Sequence, residues 1–215
     1  FTKHGLTLDL NALKREYLQL HEEESEYAAR TLEEIEIRES FVKLFNRLGL
    51  KPGQQPEMEE LVERFFALEA ESWVLFPGIL EMLQQVRDLG LKMGVLSNAR
   101  TDWAVREIMG RLGLTRYFDV ILTSAALGVR KPRAEPFREM LKLLGIEAAE
   151  AVMGGNSMEA DVAGAVPLGI KTIRVMFGDN VDELRIDLEV TVDPDVTVSA
   201  VPGDVPAIKQ MMASC

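Results

Sequence analysis

Three polar sets in this 215-residue chain have the types and positions to hold a small anion. Ser97 and Asn98 follow the apolar run Leu91–Leu96. Lys131 sits in the loop 123–132, after a second strand candidate at Asp119–Leu122. Gly154, Gly155, Asn156 and Ser157 follow Ala151–Val152–Met153, and Asp161 comes about one turn later. A serine hydroxyl and backbone N–H groups hydrogen-bond phosphoryl oxygens, and an ammonium neutralises charge that builds up during transfer. A carboxylate near a helix N-terminus holds a hard cation such as Mg²⁺. Each set alone has a plainer reading. A Ser-Asn pair after a strand caps a helix, a loop lysine is solvated, and the glycines make an ordinary strand-to-helix turn. Their common position argues for more, because residues just after the strands of an open α/β sheet line one crevice.

The elements that must position these residues divide the chain in two. Residues 1–72 read as helix. Leu10, Leu13, Tyr17 and Leu20 recur at helical spacing. Phe41, Leu44, Phe45 and Leu48 form a second stripe, and Leu61, Phe65 and Leu68 a third. The acidic stretch between the first two, HEEESEYAARTLEEIEIRES, reads as a solvated helix face. No strand candidate occurs before residue 73. From Trp73 the texture changes to alternating strands and helices: Leu91–Leu96, Asp102–Leu112, Asp119–Leu122, Glu135–Leu144, Val152, Asp161–Leu168, Lys171–Val175 and Val196–Ser199. Helices of about ten residues between strands predict parallel pairing in a layered α/β sheet. The fold class is therefore a Rossmann-like parallel sheet core over 73–215 with a separate all-helical unit over 1–72.

Composition narrows the function classes. At 47% hydrophobic residues the chain supports a sizeable core. A net charge of −11 opposes binding to nucleic acid or anionic membranes. One cysteine, Cys215, allows no internal disulfide and fits a reducing, cytoplasmic compartment. No run of about 18 apolar residues marks a membrane span. His4 and His21 are far in sequence from the polar sets and read as surface residues. The sequence opens at Phe1 without methionine, in what reads as the end of an element, which implies a segment ahead of it. Nothing in the sequence fixes an oligomeric state or the identity of a substrate.

The joint order of these sets resembles the haloacid dehalogenase-like (HAD) hydrolase superfamily. VLSN (Val95–Asn98) resembles its second motif. GVRKP (Gly128–Pro132), followed by a helix opening in EPF, resembles its third, and GGNSMEADVAGA its fourth. The run-up FPGILEMLQQVRDLGLKMG is also similar to the family's, and residues 1–72 match the helical cap inserted before the second motif. The resemblance implies a phosphatase acting on a small phosphorylated metabolite through an aspartyl-phosphate. Ser97, Asn98 and Lys131 would bind the phosphoryl group, with Ser97 and Lys131 catalytic. Asn156 and Asp161 would organise Mg²⁺.

Two departures bear on activity. The family's D-x-D nucleophile motif, which precedes the cap, has no counterpart here, so the chain as written is expected not to turn over phosphate esters. The missing first strand would lie mid-sheet and leave its neighbours unpaired. The fourth motif carries Asn156 where an aspartate is usual, which removes a charge from the metal shell. A D-x-D-x-T does occur at Asp193–Thr197, but its Pro194 has no N–H to offer a phosphate, and a turn before a last edge strand is preferred. A 2-haloacid dehalogenase and a non-catalytic binding protein of the same fold are the alternatives.

Overall fold

A computed structural model describes residues 9–51, 55–176, 187–193 and 196–198. Helix α1 (Leu10–Thr31) starts where the Asp9 carboxylate accepts the Asn11 N–H at 2.9 Å, satisfying one of the free donors of its first turn. Helices α2 (Ile37–Arg47) and α3 (Met58–Ser72) follow. The apolar stripes of the three helices meet in one cluster built on Leu20, Ile37, Phe41, Leu44, Phe45 and Val62. Phe41 meets Phe65 edge-on at 5.2 Å, a geometry that adds about 0.5–1.5 kcal/mol to the burial.

The acidic stretch departs from its expected solvated helix. The chain leaves α1 at Leu32, whose backbone is left-handed at φ 57°, and resumes helix only at Ile37. That conformation costs a non-glycine residue about 1–2 kcal/mol. Two of the acids turn inward: Glu24 is 5% exposed, and the Glu34 side chain 1%. Both are held by arginines from the other half of the chain, which is why burial is tolerated.

Beyond residue 73 the alternation holds. Helix α4 (Ile79–Asp88) leads to β1 (Gly94–Ser97), and α5 (Asp102–Arg111) to β2 (Val120–Thr123). The short α6 (Ser124–Leu127) and α7 (Ala134–Leu144) precede β3 (Val152–Gly155). The expected helix Asp161–Leu168 is instead a π turn (Met158–Val162), a short α8 (Ala163–Ala165) and a 3₁₀ turn (Val166–Leu168) before β4 (Lys171–Met176). β1 pairs parallel with β2, Ser97 opposite Thr123, and β3 pairs parallel with β4. The helical crossovers between them make this direction possible.

The parallel expectation fails at the end of the chain. β5 (Asp187–Asp193), not foreseen as a strand, runs antiparallel to β4, and β6 (Val196–Val198) antiparallel to β5. The two residues between β5 and β6 are too few for a crossover. Pro194 and Asp195 of the D-x-D-x-T lie outside the described residues, as do His4 and Cys215.

The described strands form two sheets, β1–β2 and β3–β4–β5–β6, with no ladder joining β1 to β3. The two edges are neighbours nonetheless. Leu96 of β1 and Met153 of β3 pack around the same cluster of Phe137, Ala165 and Ile170, so α7 spans both sheets. β1 is half-exposed along its length, with Gly94 open, as an edge strand is. Among the described residues, the edges of β1 and β3 thus lie on one cluster without a ladder between them. Among the described residues no helix is long and apolar enough to cross a membrane.

Candidate active site

Lys131 is the centre of the strand-end crevice. Its backbone is fixed by Asn98, which donates from Nδ2 to the Lys131 carbonyl (2.9 Å) and accepts the Lys131 N–H at Oδ1 (2.8 Å). Its ammonium reaches back to the end of β1, donating to the Leu96 carbonyl at 2.6 Å and to Asp161 Oδ1 at 2.6 Å. Both side chains are nearly inaccessible, at 8% and 7% exposure. An ammonium has three N–H donors, so one remains for a ligand. Ser97, the last residue of β1, follows directly on the carbonyl that Lys131 holds.

Asp161 is positioned by the turn after β3. Its Oδ2 accepts the Ser157 N–H at 3.0 Å, while the Ser157 hydroxyl caps the π turn by accepting the Ala160 N–H at 2.9 Å. π turns occur often at functional sites, because the extra residue re-aims a side chain. Here the carboxylate packs so closely on β3 that a Cβ on Gly155 would lie 2.2 Å from Asp161 Oδ2 and 2.7 Å from its Cβ. Only glycine fits there. Asn98, Lys131 and the Ser157 turn therefore converge, and Asp161 joins them through Lys131. Asn156 is exposed, and neither it nor Ser97 lines the adjoining cavity.

That cavity, of about 380 Å³, lies between α1 and the strand ends. Asn98, Lys131 and Ser157 form one wall, and His21, Glu24, Ala28 and Glu34 face them. Arg100 and Arg130 complete it. Sequence reasoning missed both arginines and both glutamates. Arg100 donates to Glu24 and to the Ser40 hydroxyl, and its Nη1 lies 3.2 Å from His21 Nδ1. His21 is exposed as expected, yet it stands at this cavity rather than away from it. Arg130 Nη1 donates to both oxygens of Glu34, at 2.9 and 2.8 Å, and the Ser124 hydroxyl donates to Glu34 at 2.5 Å. Backbone bonds reinforce the contact: Glu34 N–H to Gly128 O, Arg130 N–H to Leu32 O and Ile37 N–H to Arg100 O, each 2.9 Å.

A sequence model described as haloacid dehalogenase-like hydrolase matches residues 9–175. The chain belongs to this family. Its relatives include a ribulose-1,5-bisphosphate 5-phosphatase of Halopiger xanaduensis, 34% identical over 53% of this chain and 47% of the relative. A glyceraldehyde 3-phosphate phosphatase of Methanopyrus kandleri is 28% identical over 74% of each chain. Among solved structures, a HAD phosphatase from Thermococcus onnurineus superposes with a TM-score of 0.51 at 28% identity, covering 64% of this chain and 60% of its own. The chain spans about half the length of the Halopiger relative it matches.

The family leads one to expect Mg²⁺ at Asn156 and Asp161. The described residues do not by themselves fit it. Both Asp161 oxygens are engaged, one of them by a cation, and Asn156 offers only a neutral carbonyl oxygen. Among the described residues no group of three or more His, Cys, Asp or Glu side chains converges as a ligand set. Mg²⁺ prefers near-octahedral oxygen ligation with carboxylates among its donors.

Proposed function

We propose that this HAD-family chain belongs to a phosphatase of small phosphorylated metabolites, working in the cytoplasm, with the phosphoryl group seated at the C-terminal ends of β1 and β3. The observation that carries the reading is the buried Lys131 ammonium, which spends two of its three donors on Leu96 O and Asp161 and leaves one for the crevice. In this reading the Ser97 hydroxyl and that third donor hydrogen-bond phosphoryl oxygens, and Asn98 holds the Lys131 backbone in place. Lys131 also stabilises the charge that develops as the ester bond breaks. Removing one such donor costs about 10²–10³ in rate. Residues 1–72, which contain helices α1–α3, would act as the cap that closes the cavity over the leaving group, and 73–215 as the core. The relatives named above act, by their names, on phosphorylated sugars and trioses, which suits a cavity of this size.

Asp161 is given the role of holding Lys131 rather than that of nucleophile, since its carboxylate is buried, ion-paired to Lys131 and held by the Ser157 N–H. We assign the nucleophile to a carboxylate at the C-terminal end of a strand between β1 and β3, where it would face Lys131 and attack phosphorus in line, giving an aspartyl-phosphate that water then hydrolyses. The test is release of p-nitrophenol from p-nitrophenyl phosphate. The 215-residue chain should be inactive, and the same chain preceded by a strand ending in Asp-x-Asp should turn over. Lys131→Met in the active form should lose about 100-fold or more. Equal turnover by the two forms would refute the assignment. Chloride release from 2-chloropropionate without phosphatase activity would favour the dehalogenase.

A further inference from the structure

The two arginines at the cavity are used differently. Arg100 is a tether: both of its terminal nitrogens are engaged, by Glu24 and Ser40 on the helices and by His21. Arg130 is not. The only hydrogen-bond partner of its side chain among the described residues is Glu34, and Nη1 alone makes both contacts. The Nε–H and the Nη2 group are left without partners among the described residues. In a guanidinium these two lie on one edge, and that edge matches the two oxygens of a carboxylate.

We infer that Arg130 is a specificity-determining residue, and that it selects phosphomonoesters whose leaving group carries a carboxylate. Three features support this. Arg130 lines the same cavity as Lys131, the next residue in the chain, so a ligand bridging them need be only a few atoms long. Glu34, with its side chain 1% exposed and its oxygens bound by Arg130 and Ser124, fixes the guanidinium. Little side-chain entropy is then left to lose when a ligand binds. The cavity has no Phe, Tyr or Trp in its lining: alanines, Leu32, Ile35, Pro132 and polar groups with His21 make its walls, which suits a small aliphatic ligand. Because the Glu34–Arg130 pair is itself neutral, recognition rests on directed hydrogen bonds rather than on net charge.

This inference rests on the phosphoryl group sitting at Lys131, and the experiment separates the two. Calorimetric titration of the 215-residue chain compares inorganic phosphate, glycerol 3-phosphate and 3-phosphoglycerate. The last two share a three-carbon skeleton and differ in a hydroxymethyl against a carboxylate. The wild-type protein should bind 3-phosphoglycerate about tenfold or more tightly than glycerol 3-phosphate, as expected for one charge-assisted bidentate contact. The ratio should fall towards one in R130K, which keeps the charge but not the fork. It should also fall in E34Q/R130M, which removes the buried pair as a unit. A wild-type ratio near one, with phosphate still bound, would overturn the Arg130 assignment and leave the phosphoryl site standing. A ratio that survives both variants would overturn it as well. Failure of the wild type to bind phosphate at all would overturn both.

Discussion

The Lys131–Asp161 pair offers the sharpest energetic test of the crevice. The two side chains are 2.6 Å apart and at most 8% exposed. Removing one partner strands a buried charge. Asp161→Asn leaves the ammonium with only neutral oxygens around it, the Leu96 carbonyl among them, and Lys131→Met leaves the carboxylate with only the Ser157 N–H. Each single change should cost about 3–5 kcal/mol, as for broken buried pairs generally. Out of a total stability of about 5–15 kcal/mol this is a large share. Lys131→Met/Asp161→Asn removes both charges while keeping an acceptor for Ser157. It should recover most of the loss, giving a coupling energy of at least about 2 kcal/mol. Urea unfolding at neutral pH, followed by circular dichroism, measures all four corners of the cycle. Single changes costing under about 1 kcal/mol and adding independently would show that the pair behaves as an exposed one, and the buried crevice would be refuted.

Four further outcomes follow from particular contacts. Gly155→Ala should destabilise by about 1–3 kcal/mol in the same unfolding assay, because its Cβ would meet Asp161 atoms that Lys131 and Ser157 hold in place. Gly164→Ala should cost a similar amount, about 1–3 kcal/mol, since its Cβ would lie 2.6 Å from the Phe137 ring and 3.0 Å from the Pro132 backbone. Asp119 is held below the usual carboxylate range, first by the Met93 N–H and then by Arg87. Its contribution is present above the unfolded pKa of about 4 and is lost as pH falls through the lower folded value, so the stability gap between wild type and Asp119→Asn should be flat from about pH 5 to 8 and shrink below about pH 4. Mg²⁺ at about 10 mM should move the melting temperature of the 215-residue chain by less than about 1 °C, since a metal stabilises only where it binds the folded state; a clear rise would show that Asp161 and Asn156 suffice as ligands.

The parts of the site that the sequence discloses are those placed by a local rule. Ser97 ends a strand, Lys131 and Asp161 lie in the connections after strands, and strand ends share a crevice whatever the details of packing. The four charged residues behind the cavity obey no such rule. Glu24 and Glu34 lie in a stretch dense in acids, and their arginines are 76 and 96 residues away. Nothing local marks which acid turns inward. The break that aims Glu34 falls at Leu32, a residue type with no preference for a left-handed helix end. At the other end, β5 reads as an apolar-rich stretch, and its antiparallel pairing is set by the short link to β6 rather than by the alternation before it.

The most direct measurement is calorimetric titration of inorganic phosphate into the wild-type chain and into Lys131→Met/Asp161→Asn, the variant expected to stay folded. The account predicts saturable binding by the wild type and at least tenfold weaker binding by the variant, about the worth of one charge-assisted hydrogen bond. Equal affinity in the two proteins would place the anion elsewhere and contradict the account.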